Sequence, residues 1–288
     1  MFQSQKTDID KFFNWLLKIA AIVSCLVLIL IIAFVFIKSF PILKDTGIIR
    51  FFNDLSWHPS ENLFNILPMM LGTLLVAIGA ILISAPMGII SAIFLHYYAP
   101  KNISNIYKRI IEILAGIPSV VYGFWGLVVL VPIISRLHPP GFSLLSGILI
   151  LSMMILPTIT LIVSASFSNL PQQYLHGASA LGFTRWTTIK CVVLPASKSG
   201  IRTGIILALV RAIGETMAIL MVAGNVVQIP SSIFSPVRTL TANIALEMSY
   251  ALEYHKSALF VSGLVLIFLV IFLISFIQGF SRKKNVTP

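Results

Sequence analysis

Charged residues are scarce in this sequence. Only 10% of its 288 residues are Asp, Glu, Lys or Arg, and 58% are hydrophobic, whereas soluble domains contain roughly 25% charged residues. A soluble core cannot bury that much apolar surface, so a large soluble domain is excluded. A membrane-spanning helix needs about 20 mostly apolar residues. The composition therefore predicts an all-α membrane protein with several spans joined by short loops.

Cysteine is rare as well, and the common motifs of enzyme active sites are missing. Cys25 and Cys191 fall in a predicted span and in a basic loop, which indicates no disulfide framework. The sequence contains no G-x-x-x-x-G-K-S/T, H-E-x-x-H, G-x-S-x-G or C-x-x-C motif. Its five histidines are scattered without the spacing of metal ligands. We therefore expect no catalytic residue, no metal site and no bound cofactor in this chain, and any ATP hydrolysis has to take place on another subunit.

Six apolar runs are long enough to cross a bilayer. The first is expected to be a retained helix, because it is longer than a signal-peptide core and lacks a small-residue cleavage site. The second exceeds one membrane thickness, so residues 64–70 are expected to lie along the outer surface, and Pro86 is expected to kink the helix. The six runs are residues 19–37, 63–98, 113–134, 147–167, 203–222 and 258–280.

The distribution of basic residues predicts the orientation of these spans. The net charge of +11 comes from short basic runs between apolar segments, which argues for membrane orientation and against nucleic-acid binding. Because cytoplasmic loops are enriched in Lys and Arg, both termini are predicted to be cytoplasmic. We divide the chain into a cytoplasmic segment 1–18, a first transmembrane helix 19–38, a transmembrane core 64–280 with a cytoplasmic loop 168–202, and a cytoplasmic tail 281–288.

Two charged residues, Arg211 and Glu215, lie inside the fifth apolar run, in the sequence RAIGETMA. A charge at the centre of a spanning helix costs about 2.5 to 3.5 kcal/mol, and such residues are functional candidates by default. Spacing of four predicts that both lie on one helix face. Arg211 would offer a fork of donors to an oxyanion, with Glu215 orienting it. The alternative is that the two charges neutralise each other and join two helices.

Other polar residues near these charges are weaker candidates for a substrate path. Thr216 and Asn225 can add hydrogen bonds to a substrate, but they can equally satisfy the backbone. In the segment GIPSVVYGFWG, Pro118 and the glycines predict an irregular helix, a feature that is tolerated where it lines a cavity. Ser119 and Tyr122 would then line the path, whereas the alternative is that Tyr122 belongs to an interfacial aromatic belt.

The cytoplasmic loop 168–202 is longer and more apolar than a connector needs. Two prolines bracket a segment predicted to hold one or two short helices against the membrane face. Permease subunits of binding-protein-dependent ABC importers carry E-A-A, three residues, Gly, nine residues, Ile, one residue and Leu-Pro in this place. Here Gly182, Leu194 and Pro195 match, whereas the E-A-A positions read His176, Gly177 and Ala178.

Residues 111–127 and 211–225 extend this likeness, because both resemble the permeases of phosphate importers of the PstC type. The resemblance covers the chain from about residue 39 to its end and implies the type I permease fold with six transmembrane helices and a cytoplasmic coupling helix. That helix is expected around residues 178–185, docked on an ATPase. The resemblance places Ala178, Gly182, Phe183, Thr184, Arg185, Leu194 and Pro195 in the coupling loop.

The same resemblance implies partners and a location. The partners would be a second homologous permease of the PstA type, two ATPase subunits of the PstB type that bind ATP and Mg²⁺, an extracytoplasmic phosphate-binding protein, and membrane lipid, in a bacterial inner membrane. It associates Arg211 and Glu215 with the phosphate path. The function expected is therefore that of a phosphate permease subunit driven by ATP.

Other functions stay open at this point. The same architecture could carry another oxyanion, such as sulfate or molybdate, or a neutral solute. An ion-coupled secondary transporter would be expected to show inverted repeats and two broken helices, and no convincing repeat is present. An intramembrane enzyme could use Glu215 as acid or base, but a nucleophile or metal site is lacking.

Overall fold

Long apolar helices make up most of the structure, a computed structural model that describes residues 8–283. Five of the described helices are long and apolar enough to cross a membrane, and a sixth crossing results if one pair bent by 68° counts as a single span. Parts of the predicted cytoplasmic segments 1–18 and 281–288 lie outside the described residues. The single spans are Asp10–Thr46, Leu67–Tyr98, Ser119–Leu137, Leu144–Ser168 and Glu253–Gln278, and the bent pair is Arg185–Ala196 with Lys198–Ile213.

The first helix, α1 (Asp8–Thr46), contains the predicted first span and lies at the edge of the structure. Most of its apolar side chains are exposed, as a lipid-facing helix requires. It packs along the last helix, Glu253–Lys283, where Phe34 and Phe260 meet edge to face with ring centroids 5.7 Å apart. The first span is therefore attached to the rest of the molecule through the last one.

A short folded segment connects the first two spans. It contains α2 (Arg50–Asn53) and the antiparallel strands β1 (Trp57–His58) and β2 (Leu63–Phe64), with Trp57 opposite Phe64. Their buried side chains form a small apolar core with residues from α1 and from the next spans. The following helix begins at Leu67, so only residues 64–66 of the segment expected along the outer surface precede it.

The main core is formed by three helices from different parts of the chain. These are α3 (Leu67–Ile93, extended by a wider turn, Phe94–Tyr98), α7 (Leu144–Ser168) and α11 (Lys198–Ile213). Residues Ile150, Met154 and Ile159 of α7 are fully buried in the shared core. The Ser152 Oγ donates a hydrogen bond to the Ala80 carbonyl at 3.3 Å, which joins α7 to α3. Helix α11 and the helix that follows it, Met217–Val222, cover the predicted fifth span and are together called the fifth crossing.

The third apolar run is divided between two helices. Its first residues belong to α4 (Lys101–Gly116), and the span itself begins at Ser119 with α5 (Ser119–Trp125), a wider turn at Gly126–Leu130 and α6 (Val131–Leu137). Ile117 and Pro118 between α4 and α5 are extended. Because proline lacks an amide donor, the helix cannot continue through Pro118 without losing a backbone hydrogen bond. The predicted irregularity is confirmed, whereas the predicted start at residue 113 is wrong.

The loop 168–202, predicted to be cytoplasmic, contains two short helical segments, as expected. They are α8 (Gln172–Ala180) and a segment made of α9 (Arg185–Thr188), a wider turn at Ile189–Val193 and α10 (Leu194–Ala196). The predicted coupling helix at residues 178–185 is not one helix, since residues 178–180 end α8, residues 181–184 form a turn and Arg185 begins α9. Gly182 has φ +72° and the Phe183 amide bonds the Ala178 carbonyl at 3.1 Å, which is the glycine-terminated helix end called a Schellman motif.

The chain after the fifth crossing forms a loop and two further helices. The end of the molecule that contains residues 223–252 is called its outer end, following the predicted orientation. Helix α12 (Met217–Val222) leads into residues 223–239, and the loop closes where Gly224 pairs with Val237. Helix α13 (Leu240–Glu247) follows, and α14 (Glu253–Lys283) is the last crossing. The loop therefore brings Val237 back beside Gly224, two residues after the end of α12.

Candidate functional site

The candidate site lies where the fifth crossing is interrupted. Helix α11 ends at Ile213 and α12 begins at Met217, with Gly214 and Thr216 between them outside the regular helix. The prediction that Arg211 and Glu215 share one face of a continuous helix is therefore wrong. Thr216 has φ −115°, and the Glu215 amide bonds the Ala212 carbonyl at 3.3 Å, so the regular hydrogen-bond pattern stops here. Glycine at this point weakens the helix because it loses more backbone entropy on ordering than other residues.

Arg211 is a partly buried cation with a neutral partner. Its Nη1 donates a hydrogen bond to the Thr158 hydroxyl on α7 at 2.9 Å. A guanidinium has five N–H donors, and among residues 8–283 the other donors of Arg211 have no protein acceptor and no carboxylate within 4.0 Å. At 1.5 Å per residue, Arg211 lies about 20 Å along α11 from Lys198, the first residue of that helix, which is about two thirds of the thickness of a hydrocarbon layer of about 30 Å.

Glu215 is engaged at the start of the next helix instead of with Arg211. Its Oε1 accepts a hydrogen bond from the Ala218 amide at 3.1 Å, and its carbonyl accepts one from the Thr241 hydroxyl at 2.8 Å. A carboxylate at a helix N-terminus is favourable because the unpaired amides there carry partial positive charge. The alternative in which Arg211 and Glu215 neutralise each other directly is therefore not what the structure contains.

The two weaker candidates in this segment are used by the backbone. The Thr216 hydroxyl donates to the Gly214 carbonyl at 3.3 Å. Asn225 has a left-handed conformation, φ +55°, and its Nδ2 donates to the Leu220 carbonyl at 2.7 Å. Both side chains thus satisfy carbonyls left free by the broken helix, which is the backbone role considered above as the alternative to a substrate contact.

Ser119 and Tyr122 lie on α5, which packs closely against α12. A β carbon on Gly123 would lie 2.8 Å from the Ala218 Cα, so this approach of the two helices requires glycine. Tyr122 is buried, and its hydroxyl donates to the Leu114 carbonyl at 2.9 Å. Within the described residues, no hydrogen bond joins Ser119 or Tyr122 to Arg211 or Glu215. The structure thus packs their helix against α12, which follows Glu215, and gives neither described side chain a hydrogen bond to the two charged residues.

Two threonines that sequence reasoning missed position the charged residues. Thr158 holds the Arg211 guanidinium, and Thr241 holds the Glu215 carbonyl. A threonine in an apolar run, such as Thr158 after Pro157, carries no signal in a single sequence, because most threonines in spans bond their own helix. Thr241 lies beyond a loop of seventeen residues, 223–239, so nothing in the spacing connects it with Glu215.

A second polar cluster, also missed, lies at the outer end of the molecule. The buried Glu247 carboxylate accepts from Arg238 Nη1 at 2.7 Å on one oxygen and from Trp57 Nε1 at 2.8 Å on the other. His255 Nε2 also lies 2.8 Å from that second oxygen. Arg238 in turn donates to the Asn225 carbonyl at 2.8 Å. This cluster ties the β1 strand, the outer loop and the start of α14 together.

The predicted coupling residues lie at the other end of α11. Ala178 is buried, while Gly182, Phe183 and Thr184 are exposed in the turn between α8 and α9, and Arg185 is exposed at the start of α9. Thr184 starts α9, since its hydroxyl accepts from the Thr187 amide at 3.3 Å. Leu194 and Pro195 begin α10, next to the start of α11. A movement of this loop can therefore reach Arg211 through α10 and α11.

The described residues contain no group of three or more histidine, cysteine, aspartate or glutamate side chains placed to hold a metal ion. The features on which the site rests are thus a partly unsatisfied cation at the break between α11 and α12 and an exposed loop, residues 168–202, joined to α11. An ionisable residue within a membrane helix is typical of a transport path.

Comparison with known proteins agrees with this description. Residues 84–285 match the family of binding-protein-dependent transport system inner membrane components, and the chain belongs to this family. The probable ABC transporter permease protein YqgH of Bacillus subtilis strain 168 is 40% identical, over 83% of this chain and 79% of that protein. The phosphate transport system permease protein PstC of Mesorhizobium japonicum is 37% identical, over 92% of this chain and 87% of that protein.

A solved structure shows the same fold at low identity. A chain in the crystal structure of a bacterial alginate ABC transporter, in complex with an alginate pentasaccharide-bound periplasmic protein, matches with a TM-score of 0.68 and 16% identity. The match covers 98% of this chain and 99% of that one. The chain is thus a multi-pass permease with the ABC importer fold, and the expectation of a transport subunit rather than an enzyme is confirmed.

Proposed function

We propose that this permease carries phosphate, as a subunit of an ATP-driven importer. The observation on which the proposal rests is Arg211, a cation within the fifth crossing whose described partner is a neutral hydroxyl, so that most of its donors are available to an anion. A guanidinium binds a phosphate oxyanion through paired hydrogen bonds. The relatives named for phosphate transport support this choice of anion.

The broken helix suits a transient contact. Conduction requires that an ion bind strongly enough to enter and weakly enough to leave. Glu215, two residues before α12, is held by the Ala218 amide and leaves Arg211 unpaired. In this proposal Arg211 binds the anion transiently, and Glu215 stabilises the interruption of the helix next to it.

The importer would contain further subunits. We infer a second homologous permease of the PstA type, two ATPase subunits of the PstB type that hold ATP and Mg²⁺, and an extracytoplasmic phosphate-binding protein. Both termini would face the cytoplasm. ATP binding and hydrolysis would move the loop 168–202 and, through α11, expose the path alternately to each side. The exposed side chains of Tyr174, Phe183 and Trp186 support docking at this loop.

Uptake of labelled phosphate tests the function. Proteoliposomes would contain this chain, the candidate permease partner and the ATPase subunits with enclosed ATP, and the binding protein and labelled phosphate would be added outside. We expect uptake that needs the ATPase and is unchanged by excess unlabelled sulfate. Uptake without the ATPase would indicate a secondary carrier, and competition by sulfate would reassign the substrate to another oxyanion.

Charge reversal in the coupling loop tests the docking surface separately. Arg185→Glu changes an exposed residue at the start of α9, and we expect about fivefold weaker binding of the ATPase because an attractive rim charge becomes repulsive. Lys101→Glu, an exposed basic residue at the start of α4, is the matched control. Co-purification of the ATPase is the measurement, and equal recovery with both variants would contradict the role of this loop.

A further inference from the structure

A cavity of about 700 Å³ lies between the outer ends of the first and last helices. Residues Lys38 and Pro41 of α1 and Glu253, Lys256 and Ser257 of α14 line it, and aromatic and aliphatic side chains complete its wall. This volume is typical of sites that hold a small molecule. The cavity is separate from the broken helix of the fifth crossing, since none of its lining residues belongs to α11 or α12.

The two lysines of this cavity lie at the ends of their apolar runs. Lys38 follows the last residue of the apolar run 19–37, and Lys256 precedes the apolar run 258–280 by two residues. Both therefore mark the boundary between hydrocarbon and headgroups, where basic side chains reach the lipid phosphates. Two ammonium groups facing one cavity repel each other unless an anion lies between them.

Neither lysine forms an ion pair within 4.0 Å in the part of the chain that the structure describes. Among residues 8–283, the ion pairs within 4.0 Å join other residues, and Lys38 has only the Phe34 ring, at 5.9 Å from its centroid. Arg50 and Arg238 differ in this respect, because Arg50 pairs with Asp54 and Arg238 with Glu247. The positive charge of this cavity is thus available to a ligand.

The remaining polar residues of the cavity indicate the rest of the ligand. Glu253 contributes a carboxylate that has no ion pair among the described residues. This carboxylate would repel a ligand that is only an anion and would attract one that also carries a positive group. Ile37 and Phe260 line the cavity on the side toward the apolar runs, where hydrocarbon chains lie. A ligand with a phosphate, a primary amine and apolar chains satisfies all of these groups.

We propose that this cavity binds the headgroup of a phospholipid that carries a primary amine, a phosphatidylethanolamine, in the outer leaflet. Lys38 and Lys256 hold its phosphate, and Glu253 accepts hydrogen bonds from its ammonium group. Ile37 and Phe260 contact the upper part of its acyl chains. The bound lipid links α1 to α14, the helix along which α1 packs.

Lipid binding to the purified full-length chain, with any subunits that co-purify, tests the proposal. The delipidated protein would be titrated with dioleoyl phosphatidylethanolamine and bound lipid counted by native mass spectrometry. The test variant is Lys38→Gln with Lys256→Gln. The control, Lys44→Gln with Arg136→Gln, removes the same charge from exposed outer positions away from the cavity. We expect binding about fivefold weaker for each cavity lysine removed and unchanged binding in the control.

Selectivity distinguishes the headgroup from other phosphates. We expect phosphatidylethanolamine to bind in preference to phosphatidylcholine and phosphatidylglycerol, and Glu253→Gln, which keeps both lysines, to abolish the preference over phosphatidylglycerol. This variant tests the site even if the double variant fails to fold. Equal binding of the test and control variants would overturn the site. Equal binding of the three lipids, or displacement by millimolar inorganic phosphate, would overturn its assignment to this headgroup.

Discussion

Of two arginine and glutamate combinations in this protein, one forms an ion pair and the other does not. In the outer cluster, Arg238 and Glu247 are nine residues apart and form an ion pair at 2.7 Å. In the fifth crossing, Arg211 and Glu215 are four residues apart, yet the helix breaks between them and each finds a different partner. Spacing of four therefore did not pair these charges. Whether two charges meet depends on where the backbone turns.

The comparison separates a structural cluster from a functional one. Glu247 is buried and both its oxygens are engaged by Arg238, Trp57 and His255, so its carboxylate is committed to the protein's own groups. Arg211 is partly buried and uses one donor. A charged group that is fully satisfied holds elements together, whereas one with free donors in a membrane segment is available for transport. The following variants test this distinction, in order of decreasing expected effect.

Glu247→Ala should have the largest effect, on stability. It leaves the Arg238 charge without its carboxylate and removes the acceptor of the Trp57 indole, and breaking such a buried pair costs about 3 to 5 kcal/mol. We expect a clearly lower melting temperature of the purified protein. Glu61→Ala, at an exposed position, is the control. A melting temperature equal to that of the control would show that the outer cluster is not structural.

Arg211→Ala should strongly reduce uptake and change stability much less than Glu247→Ala does. Loss of hydrogen bonds from a charged donor costs about 1.5 to 3 kcal/mol, which is roughly a tenfold to hundredfold loss of transport. Arg211→Lys should restore part of it, since an ammonium keeps the charge but not the fork. Arg202→Ala, near the other end of the same helix, is the matched control. Uptake at the wild-type rate in the Arg211→Ala protein would eliminate the proposed path.

Thr158→Val should have a smaller effect, confined to transport. It removes the hydroxyl that holds the Arg211 guanidinium, so the arginine loses its orientation but keeps its charge. We expect the KM for phosphate to rise roughly threefold to tenfold, since one hydrogen bond to a charged group is involved, with near-normal assembly. Thr158→Ser retains the hydroxyl and should restore the KM. A defect shared equally by both variants would point to packing on α7 instead.

Thr241→Val should have the smallest effect. Its hydroxyl satisfies the Glu215 carbonyl at the helix break, and one neutral hydrogen bond contributes about 0.5 to 1.5 kcal/mol. We expect a modest fall in melting temperature together with a reduced maximal uptake rate, because the break becomes less well held. Thr241→Ser serves as the conservative control. Should maximal uptake fall equally in both variants, the hydroxyl would not be the group that matters.

The fold was predictable in outline because spans are local features. An apolar run such as 147–167 is recognised from length and composition alone, and α7 occupies Leu144–Ser168. The helix break at Pro118 was also readable, since proline lacks the amide hydrogen. Gly182 was expected within a coupling helix at residues 178–185, whereas it ends α8. A glycine alone does not say whether it ends a helix or lies within one.

The candidate site was predictable in its residues but not in its contacts. Arg211 and Glu215 stand out because charge is rare in a span. Their separation at Gly214 was missed, since a pattern four residues apart favours a shared helix face. Thr158 and Thr241 reach the site from α7 and α13, which lie 53 and 26 residues away from their partners along the chain. Such distant partners leave no trace in a single sequence.

The sequence by itself determined that this chain is a multi-pass membrane protein, where most of its apolar segments lie, and which charges they contain. These properties follow from the free energy of transferring each segment into hydrocarbon, which depends on that segment alone. Only the tertiary structure decided that Arg238 pairs with Glu247 while Arg211 does not pair with Glu215, and that Lys38 and Lys256 line one cavity. Those outcomes depend on how distant helices pack and where they break, because an electrostatic partner is chosen by distance in space.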